Sequence, residues 1–125
     1  MKTRKLTLRE KQSVFLRNVA RLITWAFGQG YELTGGELLR TDEQQALYRR
    51  AGKSRVVRSL HQDKLAVDLL LFVKGKYISD SARYAPLGRY WCSLDPANRW
   101  GGDWDRDGET ADELFPDGNH FEMMP

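Results

Sequence analysis

From Leu8 to about Phe27 the apolar positions Phe15, Val19, Leu22 and Ala26 recur at spacings of four, three and four. Leu16, Ala20, Ile23 and Phe27 widen that stripe, and Arg17 and Arg21 fall on the other side. The pattern predicts an amphipathic helix packed on a core, ending near Gly28-Gln29-Gly30. A membrane-surface helix is the rival reading, but a small domain needs this face for its own core. Tyr31 to Thr34 then reads as a short strand, broken by Gly35-Gly36. Thr41 or Asp42 can cap a second helix from Glu43 to about Arg50.

Val67 to Val73 is a strongly apolar strand carrying one charge, Asp68. Lys74-Gly75 gives a tight turn into Lys76-Tyr77-Ile78, so these runs predict a hairpin. Residues from about Ala82 to Ser93 look helical in part, with Pro86 and Gly88 limiting the regularity. Pro96 to Pro116 reads as loop, and His120 to Met124 as a short final strand. Neither an internal repeat nor a linker interrupts the chain. The expected architecture is α+β, a small antiparallel sheet with flanking helices in a single domain over residues 1–125.

Composition narrows the class. The chain has 125 residues, 41% hydrophobic and 30% charged, with four Trp, five Tyr and five Phe, which is globular and not disordered. No apolar run approaches the roughly 18 residues of a membrane span. The single cysteine, Cys92, excludes an internal disulfide and a multi-cysteine zinc ribbon, and reads as a packing residue beside Trp91. Met1 to Lys11 is basic without the apolar segment of a secretory signal, so the chain is expected to be made in the cytoplasm without a signal peptide.

Charge is divided along the chain. Residues 1–58 carry 13 Lys or Arg against 5 Asp or Glu, a balance of +8. Residues 59–125 carry 7 against 12, a balance of −5. A basic half fits a polyanionic partner, either nucleic acid or an anionic polymer such as a bacterial cell wall. The basic residues are scattered along a helix and loops without base-stacking aromatics among them, so nucleic acid is set aside. The acidic half has carboxylates that could hold a cation.

There are two histidines, His61 and His120. Asp68 lies inside an apolar strand, where a carboxylate is costly to bury unless a cation or hydrogen-bond donors compensate it. Position alone does not choose between a metal ligand and a structural aspartate. Two histidines and one aspartate would leave a fourth tetrahedral position for water, as in a catalytic zinc site and unlike a closed structural one. Taken by themselves, two isolated histidines otherwise read as ordinary surface or core residues.

The segment Ser59-Leu-His61-Gln-Asp-Lys64-Leu-Ala66-Val-Asp68 resembles the Ser-x-His-x-x-Gly-x-Ala-x-Asp motif of a zinc peptidase family. That family contains D-alanyl-D-alanine carboxypeptidases and dipeptidases and the phage L-alanyl-D-glutamate endolysins, and has the hedgehog/DD-peptidase fold. Its second motif, an acidic residue followed three positions later by His-Phe-Glu, resembles Asp117 to Glu122. Arg40, in Leu-Leu-Arg-Thr-Asp-Glu-Gln-Gln, and Trp100-Gly-Gly102 also fit, so the resemblance spans nearly the whole chain.

The resemblance implies His61, Asp68 and His120 as ligands of one catalytic zinc, and Asp117 as the general base. Arg40 would bind substrate and stabilise the oxyanion, and Ser59 would position substrate or His61. The implied activity is zinc-dependent hydrolysis of peptidoglycan stem peptides, at the L-alanyl-D-glutamate bond, by a phage endolysin-like monomer that reaches the wall after release. The alternatives are a D-alanyl-D-alanine carboxypeptidase or a non-catalytic zinc- or wall-binding module. Two positions depart from the pattern: Lys64 replaces the family glycine, and the base is Asp117 where some relatives have glutamate. Without the resemblance, Asp117 reads as a turn residue and Arg40 as a salt-bridge partner.

Three further features of the sequence lie outside these motifs. Asp103, Asp105, Asp107 and Gly108 copy the first half of a Ca2+ loop, but Leu114 stands where the bidentate glutamate belongs, which favours a solvated acidic loop. Trp91, Trp100 and Trp104 could floor a groove, with core packing favoured for the first two. Glu122 is either a carboxylate orienting a ligand histidine or an edge-strand charge.

Overall fold

The computed structural model describes residues 5–54, 59–104 and 117–125. Among the described residues three α-helices, α1 (Leu8–Gly28), α2 (Asp42–Arg50) and α3 (Ala85–Leu94), accompany five strands. The strands are β1 (Glu32–Gly35), β2 (Ala66–Val73), β3 (Lys76–Tyr77), β4 (Asn98–Trp100) and β5 (His120–Met123). All pairings are antiparallel, in the order β1-β2-β5-β4, with β3 paired to β2 at the hairpin. The α+β architecture is therefore the one its sequence pattern predicts.

Local chemistry accounts for the element ends. Thr7 caps α1: its hydroxyl accepts from Glu10 N at 3.2 Å while Glu10 accepts from Thr7 N at 3.1 Å, a reciprocal capping box. Thr41 caps α2 by accepting from Gln44 N. Lys74 and Gly75, at φ 53° and 78°, form a two-residue turn whose twist suits a hairpin. Pro86 lies in the first turn of α3, where a missing N–H costs nothing, and so does not interrupt the helix.

β4 falls in the segment expected to be loop. At three residues it is too short for periodicity to reveal, and its pairing with β5 defines it.

The inner part of the predicted face of α1 is the one that packs, whereas Leu16, Ala20 and Phe27, expected to widen it, are exposed. Phe15, Val19, Leu22 and Ala26 are buried against Leu69 and Leu71 of β2, Leu87 and Trp91 of α3, and Phe121 of β5. Trp91 is fully buried and meets Phe15 and Phe121 edge-on, with centroids 5.5 and 6.1 Å apart. Its indole N–H donates to the carbonyls of Arg99 and Glu122, tying α3 to β4 and β5. Gly88 lets α3 approach Trp100: a Cβ there would lie 2.1 Å from the indole. Trp91 and Trp100 are thus core residues.

Candidate metal centre

The site forms where β2 changes partners. Asp68 is the last residue of β2 paired with β5, directly opposite His120, and Leu69 begins the pairing with β1 at Gly35. Opposed residues in an antiparallel pair project from the same face, so Asp68 and His120 are neighbours by register alone. Beyond β1 the chain stays beside Asp68, through Gly36 N to Asp68 O at 2.8 Å and Asp68 N to Glu37 O at 2.9 Å.

His61 comes from the 3-10 turn Leu60–Asp63 just before β2. Ser59 caps this turn, its hydroxyl accepting from His61 N at 3.2 Å and its own N–H donating to Gln62 Oε1 at 2.7 Å. Lys64 ends the turn in the left-handed conformation, at φ 56°. The lysine in the family-glycine position thus keeps a conformation that favours glycine.

Three ligand atoms converge. His61 Nε2 is 3.2 Å from His120 Nδ1, and Asp68 Oδ1 is 3.3 Å from each nitrogen. In a tetrahedron with metal–ligand bonds of about 2.0 Å the ligand–ligand edge is about 3.3 Å. The outer nitrogens are occupied: His61 Nδ1 lies 3.1 Å from Leu38 O, and His120 Nε2 lies 2.8 Å from Glu122 Oε1. Both partners only accept, so each neutral ring places its proton outward and its lone pair toward the cluster. Asp68 Oδ1 is buried without a hydrogen-bond partner. Three inward lone pairs at this spacing fit a divalent cation that takes nitrogen and oxygen donors, and zinc is such a cation. Among the described residues this is the one group of His, Cys, Asp and Glu side chains arranged to hold a metal.

Without a cation, a proton can occupy the same place. Burial pushes the His120 pKa down, but Asp68 and Glu122 outweigh it and raise it to about 9. For Asp68 burial acts upward, and the two histidines overcome it to bring the carboxyl down to about 2.

Asp117 precedes β5, its carbonyl accepting from His120 N at 3.0 Å and its N–H donating to Gly101 O at 2.8 Å. The residue is exposed overall, yet its carboxyl is desolvated enough to be pushed above the usual aspartate range. The charge of Asp68 adds to that rise, and His120, His61 and Arg40 oppose it. Gly118, next in the turn, is pressed against Ser81 and donates to its hydroxyl at 2.9 Å.

Arg40 lies beside the cluster with its backbone N–H on His61 O at 3.2 Å. Its Nε donates to Glu37 Oε1 at 2.7 Å and Nη1 to Gln45 Oε1 at 2.7 Å, and Nη2 also contacts Glu37. The guanidinium lies over Tyr48, 4.7 Å from the ring centroid. Ser59 is buried and occupied in capping the His61 turn.

Trp104 stands at the site, its ring 5.5 Å from that of His120 and 5.7 Å from the Arg99 guanidinium. Asp105 and Asp107, two of the candidate calcium ligands, lie outside the described residues. Asp103 donates its backbone N–H to Trp100 O and belongs to no metal-holding group among the described residues.

The sequence reading did not reach Glu37, Leu38, Gln45 and Arg99. Leu38 contributes a backbone carbonyl, which leaves no trace in side-chain identity. Glu37 and Gln45 flank Arg40 at spacings of three and five, the only signal they offered.

Fold and site define a small α+β protein with a three-ligand candidate metal centre. No protein-family model matches the chain. It is 33% identical over 86 residues to the L-alanyl-D-glutamate peptidase of Listeria phage A118, which covers 67% of this chain and 30% of the phage protein. The fold is similar to that of the L-Ala D-Glu endopeptidase ChiX of Serratia marcescens, with a TM-score of 0.71 and 23% identity. That match covers 94% of this chain and 83% of the other. The chain is thus similar in sequence to a phage L-alanyl-D-glutamate peptidase and in fold to a bacterial L-Ala D-Glu endopeptidase. The chain spans less than a third of the phage relative's length. No helix among the described residues is long and apolar enough to cross a membrane.

Proposed function

We propose that the protein is a zinc-dependent peptidase of bacterial peptidoglycan that hydrolyses the L-alanyl-D-glutamate bond of stem peptides, as a phage lysis enzyme would. The observation that carries this reading is the triangle of His61 Nε2, Asp68 Oδ1 and His120 Nδ1, whose edges match a zinc tetrahedron with one corner open. The names of the two relatives supply the substrate class.

Bound by these three residues, zinc would act as a Lewis acid on the scissile carbonyl and lower the pKa of water to about 7. Asp117 feels the charges of the cluster, and burial raises its pKa, which strengthens its carboxylate as a base. A carboxylate so poised takes a proton from the attacking water and returns it to the leaving amine. Arg40 has three of its five N–H donors committed to Glu37 and Gln45, which hold the fork steady and leave donors for the carbonyl oxygen. Negative charge develops there in the transition state, so a fixed cation stabilises that state over the bound substrate. Ser59 acts through the His61 turn.

Mass spectrometry of muropeptides, with and without a chelator, tests the reading. Chelator-sensitive release of peptides beginning at D-glutamate is the expected result. Loss of single D-alanine residues would instead make the enzyme a carboxypeptidase. No release from any wall type, even with added zinc, would leave a wall-binding module and overturn catalysis.

A further inference from the structure

We infer that Glu122, clamped by Arg99, selects the tautomer of His120 that offers Nδ1 to the metal, and so acts as a positioning residue for the site. This rests on the metal reading above and goes beyond it. His120 and Glu122 are two apart on β5 and project from the same face. Arg99 stands opposite Glu122 across the β4–β5 pair. The carboxylate is buried, and its two oxygens are divided. Oε1 faces His120 Nε2 at 2.8 Å, and Oε2 accepts from Arg99 Nε at 2.7 Å with a second contact from Nη2. The carbonyl of the same residue is held by Trp91 Nε1 at 3.0 Å, so backbone and side chain are both fixed.

The two histidines are set up differently. His61 presents Nε2 and is oriented by a backbone carbonyl, whereas His120 presents Nδ1 and is oriented by a carboxylate. A ring that ligates through Nδ1 holds the metal close to its own backbone, so a small rotation moves the lone pair off target. An ionised acceptor at Nε2 holds the ring angle, keeps the proton off Nδ1 and raises the basicity of the ligand nitrogen. A purely structural Arg99–Glu122 pair would not require the other oxygen to be aimed at the imidazole.

The test is a zinc titration of the whole chain, wild type and Glu122→Gln, against a chromophoric chelator. Visible spectra of the cobalt-substituted proteins accompany it. Glu122→Gln is expected to weaken zinc binding about 10- to 100-fold and to shift the cobalt spectrum. An unchanged Kd and spectrum, with stability lowered equally in the metal-free and zinc-loaded states, would show a structural ion pair and overturn the inference. If the variant does not fold, imidazole 15N shifts of zinc-loaded wild type decide: a protonated Nε2 on His120 supports the assignment, and a protonated Nδ1 overturns it. Wild type that binds no zinc would overturn the metal reading as well, which separates the two failures.

Discussion

Asp68 and His120 face each other across the β2–β5 pair, in the register that also opposes Val67 to Phe121. That register fixes core and site together. Slipping β5 by one residue would turn Phe121 out of the core and His120 away from Asp68 at once. The sheet therefore sets two of the three cluster residues, and the 3-10 turn before β2 brings His61 to them.

The pH dependence of stability follows from the same pair. In the metal-free protein the Asp68 pKa is depressed to about 2 from 3.8, so its contribution is present above pH 3.8 and lost as pH falls toward 2. The His120 pKa is raised to about 9 from 6.5, so its contribution is present below pH 6.5 and lost as pH rises through 9. Denaturation in chelator should show a loss on the order of 2 kcal/mol between these last two values. Zinc must displace the His120 proton, so its affinity should rise about tenfold per pH unit in that window. A zinc Kd independent of pH there would contradict the assignment.

Asp117→Asn separates proton transfer from metal binding. Catalysis is expected to fall about 10²- to 10⁴-fold, while zinc affinity stays within about threefold. Because desolvation raises the Asp117 pKa, the acid limb of kcat/KM in the wild type should lie above the ordinary aspartate range. Parallel loss of zinc and activity would make Asp117 part of the metal site instead.

Gly88→Ala probes the core beneath the site. The new methyl would sit 2.1 Å from the buried Trp100 indole, which is itself tied to Gly118 O at 2.6 Å. Urea unfolding should show a loss of about 1–3 kcal/mol. Displacement of Trp100 would also disturb the Asp117-Gly118 turn.

Lys64→Gly should stabilise the protein. A left-handed lysine costs about 1–2 kcal/mol, and the added freedom of glycine in the unfolded chain returns about 0.5–1 of it. A rise in Tm of about 2–4 °C is the expected outcome. A fall would mean that the Lys64 side chain makes contacts outweighing the strain of its backbone.

Much of this was legible in the sequence, for definite reasons. The stripe from Phe15 to Ala26 repeats often enough to identify α1 and its buried face, and the glycines after it mark the end. A charge as isolated as Asp68 in an apolar strand marks itself, and the spacing of His61 and His120 around it carries the family resemblance. What stayed hidden depends on pairing. β4 is strand only because β5 lies beside it, and the opposition of Arg99 to Glu122 exists only once that register is set. Leu38 orients His61 through its carbonyl, an atom that every residue has. Glu122 could not be resolved between two roles until its two oxygens could be followed to different partners.

Anomalous scattering at the zinc edge, from crystals grown with zinc, tests the His61–Asp68–His120 centre directly. One strong peak is expected, about 2.0–2.2 Å from His61 Nε2, Asp68 Oδ1 and His120 Nδ1, with room for a fourth ligand. A peak elsewhere, or none at these three atoms, would contradict that centre.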